Sequence, residues 1–155
     1  MTTPAPARQP ALPVTFRPTL SRVILLASGV ALFVVITVVA LLLEQLHGGE
    51  RASFVVTAAL LAGVLFLLAR PKVVATESGI TVVNLTTRRF LEWAQVLQVT
   101  LRPGDPWVFL NLSDGTSLPA LGIQPGLARE QALADARALR ALVEAHGAQA
   151  TAPRD

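Results

Sequence analysis

The sequence predicts a membrane α-helical hairpin joined to a small α+β domain. Three observations lead there. Residues 23–43 run for 21 positions without a charge. Residues 52–69 run for another 18 uncharged positions after a short gap. From residue 73 onward the apolar pattern breaks into short alternating runs separated by turn residues, and closes in an Ala- and Leu-rich helical stretch.

At about 1.5 Å rise per helical residue the first run is about 32 Å long and the second about 27 Å, against a hydrocarbon core of about 30 Å. Residues 1–20, with prolines at 4, 6, 10, 13 and 18, lack the apolar area to pack and read as a disordered or extended cytoplasmic tail. The first span is too long for a signal-peptide core, Glu44-Gln45-Leu46-His47 follows it instead of a small-residue cleavage site, and a second span comes next. Residues 21–70 therefore read as a retained two-helix hairpin. Arg8, Arg17 and Arg22 precede it and Arg70 and Lys72 follow it, whereas its loop holds Arg51 against Glu44 and Glu50. The positive-inside rule puts both termini in the cytoplasm, as a multi-pass protein of the cell membrane. Pro71 stops the second helix.

The polar side chains within the spans are Ser28, Thr37, Ser53 and Thr57, none of them ionisable. An ion or proton pathway normally carries a charge at membrane depth. Ala59 and Gly63 have small-xxx-small spacing and, with Gly29, suit close helix approach, within the hairpin or between copies.

In the second region, residues 73–76 and 80–85 read as strands joined by the turn Glu77-Ser78-Gly79. Residues 89–93 follow as a third strand. Residues 96–102 alternate, with Val96, Gln98 and Thr100 on one face and Leu97, Val99 and Leu101 on the other. Residues 107–112 and 116–121 form a hairpin about Ser113-Asp114-Gly115, where Asp-Gly suits a turn with positive φ. Pro125 fits the first turn of the closing helix. Its apolar stripe is Ala128, Ala132, Ala136, Leu139, Leu142 and Val143, and Gly147 is the expected stop. The domain is thus expected over 72–146, with a disordered tail at 147–155.

The order of these features resembles the bacterial pleckstrin-homology-like family, in its actinobacterial membrane-anchored type, the low-molecular-weight protein antigen six family. The residues carrying the resemblance are Glu77-Ser78-Gly79-Ile80, the run Arg89-Phe90-Leu91-Glu92-Trp93-Ala94-Gln95-Val96, then Arg102-Pro103-Gly104-Asp105-Pro106-Trp107, Asp114-Gly115-Thr116 and the last helix. The resemblance implies a bent antiparallel sheet or barrel capped by a C-terminal helix, and no catalytic residues. In eukaryotic relatives a basic first turn binds inositides; here that turn holds no Lys or Arg, so inositide binding is not expected.

Charge and composition exclude several functions. The sequence pI near 11.0 reflects one Lys, no Tyr and no Cys rather than a basic surface, since net charge is only +3. A nucleic-acid partner is not expected. Without Cys there are no disulfides, thiol nucleophiles or thiolate metal sites. His47 and His146 fall on opposite sides of the expected membrane. Glu92, Asp105 and Asp114 are isolated acids near turns, and no phosphate-binding, hydrolase or zinc-protease motif occurs. No catalytic or metal site, cofactor or small-molecule substrate is expected.

What remains is binding. Arg17, Arg22, Arg70, Lys72, Arg88 and Arg89 are the candidate lipid contacts. Trp93 reads as core. Trp107, with Phe109 beside it on the strand, is a candidate protein-partner surface. The function expected is a non-enzymatic cytoplasmic interaction module tethered at the inner membrane face. The alternatives are a structural or assembly subunit of a larger membrane complex, or a lipid-headgroup-binding module.

Overall fold

A computed structural model describes residues 10–151 of the chain. They form two compact units, and the division does not follow the chain in one pass. Residues 19–70 make one unit; residues up to 18 and from 71 onward together make the other.

The first unit is a helical hairpin, α1 (Thr19–Leu42) and α2 (Gly48–Leu68). Both helices are longer toward their N-termini than the uncharged runs indicated, because helix geometry extends into the polar residues that flank an apolar core. Glu50 opens α2, its carboxylate accepting the His47 backbone N–H at 2.9 Å, where a negative charge also suits the helix dipole. Arg51 donates to the Leu43 carbonyl at 3.2 Å and so covers the end of α1. Gly29, Ala40, Ala58 and Ala62 are buried between the helices. A Cβ on Gly29 would lie 2.8 Å from the Phe66 ring. The small residues that let this pair approach are therefore Gly29 and the Ala58/Ala62 pair. Ala59 and Gly63, one position round the helix, face outward.

The second unit is a pair of antiparallel sheets closed by one helix. The first sheet has the order β1 (Val14–Phe16), β2 (Lys72–Thr76), β3 (Gly79–Val83), β4 (Arg88–Glu92). The second has the order β5 (Val96–Thr100), β6 (Val108–Leu112), β7 (Ser117–Ala120), and α3 spans Arg129–Thr151. A single 3-10 turn, Trp93–Gln95, joins β4 to β5. Val73, Val82, Leu91, Val99, Val108, Leu110 and Leu139 are among the fully buried side chains, so the core lies between the inner faces of the two sheets and α3. Of the expected stripe, Ala132, Ala136, Leu139, Leu142 and Val143 are the buried face of α3, whereas Ala128 lies just before the helix and is only partly buried.

Four details correct the sequence reading. The first concerns the N-terminal tail: Val14–Phe16 pairs with Val73–Ala75 and buries Phe16 in the core. Residues 14–16 are too few to signal a strand by themselves, and their partner lies across the hairpin. Residues 1–9 fall outside the described residues. Next, α3 passes Gly147 and continues to Thr151, a glycine inside a helix costing only about 1 kcal/mol; it also starts at Arg129, four residues after Pro125. Residues 152–155 are not among those described. In β5 the ladder to β6 shifts between Val96 and Gln98, so an extra residue at Leu97 puts Val96 and Val99 both inward and leaves Leu97 66% exposed. Strict alternation cannot represent that bulge. Lastly, Trp93 belongs to the 3-10 turn rather than to a strand.

Gly79 is required by a close approach. A Cβ there would collide with the Leu91 carbonyl oxygen on the paired strand. Asn84, just past β3, ties the two sheets together. Its side-chain N–H donates to the Pro119 carbonyl at 2.9 Å and its side-chain oxygen accepts the Leu121 N–H at 3.1 Å. Asn84→Ala leaves both groups without their partner in a half-buried place. The expected loss is about 1–3 kcal/mol of unfolding free energy, measured by urea denaturation of the full chain in detergent.

Candidate interaction site

Within the β unit the basic candidates do not form one cluster. The β-ladder puts Lys72, Val83 and Arg88 in a single row across β2, β3 and β4. Paired residues share a face, so Lys72 and Arg88 stand on the outer face, about 10 Å apart across two strand spacings. The next row on that face holds Thr15, Val74, Thr81 and Phe90, with Phe90 51% exposed. Arg89 alternates to the other face and meets the Asp114 carboxylate at 3.8 Å. Both partners are about half exposed, a setting in which an ion pair contributes little. The adjacent basic pair of the sequence is thus divided, because neighbouring strand residues point to opposite faces. Arg22 lies within α1 and Arg70 is exposed just after α2.

Arg17 is half-buried. Its Nε is enclosed without a hydrogen-bond partner, and its carbonyl accepts the Gln131 side-chain N–H at 3.2 Å. Arg17, Gly122, Ala132 and Asp135 line one small cavity. Burial pushes the Asp135 carboxyl above its ordinary pKa. A carboxyl raised in the folded state holds its proton more tightly there than in the unfolded chain. Its favourable contribution is therefore present below the ordinary carboxylate range and is lost as pH rises through the raised value. Asp135→Asn is expected to raise Tm by a few degrees at pH 7 and to leave it unchanged near pH 3, read from thermal melts at the two pH values.

The outer face of the second sheet carries a cleft of about 330 Å³ lined by Thr100, Arg102, Asp105, Phe109, Asn111 and Ser117. Asn111 organises its floor. Its side-chain N–H groups donate to Thr100 Oγ1 at 3.2 Å and Gln98 Oε1 at 3.4 Å, and its Oδ1 accepts the Ser117 hydroxyl at 3.0 Å. Asp105 closes the rim by accepting the Arg102 N–H at 2.8 Å. Phe109 forms one wall, and Trp107 stands beside it at 6.4 Å between ring centroids, tilted by 54°. Trp107 Nε1 is enclosed with no hydrogen-bond partner. The structure therefore brings Trp107 and Phe109 together next to a polar floor and the exposed Arg102, a composition suited to a peptide with both apolar and acidic groups.

The acids near the turns have structural partners. Asp114 Oδ1 accepts the Thr116 hydroxyl at 2.6 Å and the Thr116 N–H at 2.9 Å, and these bonds, the hydroxyl first, hold its carboxyl below the ordinary pKa. Among the described residues, no group of three or more His, Asp and Glu could hold a metal ion.

Trp93 is 8% exposed and fastens three elements. Its Nε1 donates to the Thr76 and Glu77 carbonyls, both at 3.1 Å. Its ring stacks on His146 of α3 at 4.1 Å and 10°. His146 Nδ1 in turn lies 2.8 Å from the Leu142 carbonyl and donates to it. Arg140, on the same helix, donates twice to the Val99 carbonyl, at 3.3 and 3.0 Å. Sequence reasoning did not reach the contacts made by Asn84, Arg140 and His146. No local signal marks them, since each partner lies tens of residues away or on another element.

Comparison with known proteins agrees with this architecture. Residues 70–142 match the family described as Bacterial PH domain. Uncharacterized proteins of Mycobacterium bovis and of two Mycobacterium tuberculosis strains are 31% identical to the chain over 83 residues, which is 54% of this chain and 53% of each relative. The chain thus matches about half the length of these curated relatives. No solved structure matches it significantly.

Proposed function

We propose that this protein, whose residues 70–142 match the family described as Bacterial PH domain, is a non-enzymatic interaction module tethered to the cytoplasmic face of the cell membrane. The observation that carries the reading is the pairing of β1 with β2 on either side of the α1–α2 hairpin. Two strands in one ladder share a compartment, so the chain must enter and leave the hairpin on the same side. Two apolar spans satisfy that requirement.

The hairpin itself supports lipid as its solvent. Both helices are long and apolar enough to cross a bilayer. Val23, Val35, Leu42, Leu60 and Val56 are 58–73% exposed, which in water would amount to a large unprotected apolar surface. The positive-inside rule selects the cytoplasm for the domain, since Arg17, Arg22, Arg70 and Lys72 flank the hairpin.

Only two residues, Arg17 and Pro18, separate β1 from α1, and only Ala69, Arg70 and Pro71 separate α2 from β2. Arg22, Arg70 and Lys72 therefore lie close along the chain to the span ends, where each basic group gains about 1 kcal/mol from anionic headgroups. Arg88 shares the Lys72 row and extends the same contact. Protein binding is assigned to the cleft beside Trp107 and Phe109, and tethering raises its effective concentration toward membrane partners. The acids Asp105 and Asp114 are engaged in loop hydrogen bonds, which supports a binding rather than a catalytic role.

The reading is tested by fractionation and co-purification. The full chain is expected to stay in membranes through high-salt and alkaline washes and to leave them only with detergent. Proteins that co-purify from native membranes are expected to be lost with Trp107→Ala or Phe109→Ala. Release without detergent would end the membrane assignment, and partners that persist in both variants would move the binding site away from the cleft.

A further inference from the structure

We propose that β4 is a self-complementary docking edge, and that its partner is β4 of a second copy of this chain, paired antiparallel about a two-fold axis at Phe90. This edge is distinct from the cleft and independent of the membrane assignment, so either can fail without the other.

Among the described residues β4 is an edge strand of its sheet, paired with β3 alone. The bond from the Asn84 N–H to the Thr87 carbonyl, 2.9 Å, sets the phase of that pairing. In an antiparallel ladder the bonded pairs recur every second residue. Arg89 and Leu91 therefore turn their backbone groups toward Val82 and Ile80. Arg88, Phe90 and Glu92 turn theirs to the open edge. Consistent with that phase, the Glu92 N–H is taken by the Gln95 side chain at 2.9 Å instead of by β3. The N–H groups and carbonyls of Arg88 and Phe90 remain available there for another strand, and the Glu92 carbonyl, which also begins the 3-10 turn Trp93–Gln95, keeps its second lone pair. Arg88, Phe90 and Glu92 are also the exposed side chains of the outer face.

The sequence of this edge reads Arg88-Arg89-Phe90-Leu91-Glu92. Antiparallel pairing centred on Phe90 uses all five positions. It sets Phe90 opposite Phe90 of the second copy, and Arg88 opposite Glu92 of the second copy, twice by symmetry. Opposite charges and aromatic pairs are the favourable cross-strand neighbours, and a two-fold contact of this kind closes on itself. Two bonds form between the Phe90 backbones, and each Arg88 N–H adds one to the Glu92 carbonyl facing it. Centring on either neighbouring register strands one charged residue beyond the ladder and brings Arg89 opposite Arg89 or Glu92 opposite Phe90. The charges that select this pairing also repel other strands, which is how exposed edges avoid promiscuous addition.

Charge exchange provides the test, on the full chain in detergent, by sedimentation or light scattering across a concentration series. The wild type is expected to dimerise reversibly. Arg88→Glu and Glu92→Arg, each of which sets like charges opposite one another twice, are expected to weaken dimerisation about tenfold or more. The double variant Arg88→Glu/Glu92→Arg is expected to restore it, which loss of folding in the single variants could not produce. A wild type that stays monomeric over the whole series, single variants that dimerise like the wild type, or a double variant that remains as weak as the singles would each overturn the proposal.

Discussion

Phe16→Ala is expected to destabilise the β unit by about 3–5 kcal/mol, although Phe16 lies outside the 70–142 stretch that matches the PH family. Phe16 is 4% exposed and packs in the same cluster as Val73, Ile80 and Leu139. Truncating it empties part of a core that cannot close, since β1 is held to β2 only at Val14–Phe16. Both tryptophans of the chain, Trp93 and Trp107, belong to this unit. Urea denaturation of the detergent-solubilised protein followed by tryptophan fluorescence therefore reports it without interference from the helices. A loss below about 1 kcal/mol, the size expected of a surface site, would mean that β1 is not part of the core.

Gly122→Ala is the second large effect, and it acts by overpacking. A Cβ on Gly122 would sit 2.6 Å from the Lys72 Cα and carbonyl carbon and 2.7 Å from the Val73 nitrogen. Those are backbone atoms of β2, which is held by β1 on one side and β3 on the other, so they cannot swing away as a side-chain tip would. The expected loss is about 3 kcal/mol, the upper end of overpacking costs. Gly126→Ala, with nothing within 4 Å of its Cβ, is the neutral control. Equal melting of the two variants would contradict the close packing of residue 122 on β2.

Much of this fold was legible in the sequence because its signals are local. The uncharged runs give α1 and α2, β-branched runs and the Asp114-Gly115 turn give the strands, and the spacing from Ala132 to Val143 gives the buried face of α3. The N-terminal strand was not legible, because Val14–Phe16 is three residues long and its partner lies beyond the whole hairpin. The bulge at Leu97 hides from any two-residue period. The candidate site divides in the same way. Trp107 and Phe109 are two apart on an alternating strand and so fall together, whereas Arg88 and Arg89, adjacent in the chain, fall apart. The tie made by Asn84 depends on residues 119 and 121 and could be found only once the two sheets were in place.

The central proposal is that a hairpin of two membrane spans is inserted between two paired strands of the β unit, whose residues 70–142 match the PH family. Thr15 and Val74 face each other across β1 and β2, and the chain has no other Cys to confuse a cross-link. The direct measurement is Thr15→Cys/Val74→Cys in intact cells, with a protease site at Gly48-Gly49 cut from outside. After oxidation and cutting, the chain is expected to run as one species on a non-reducing gel and as two fragments once reduced. Two fragments without reductant, or a loop that the external protease never cuts, would contradict it.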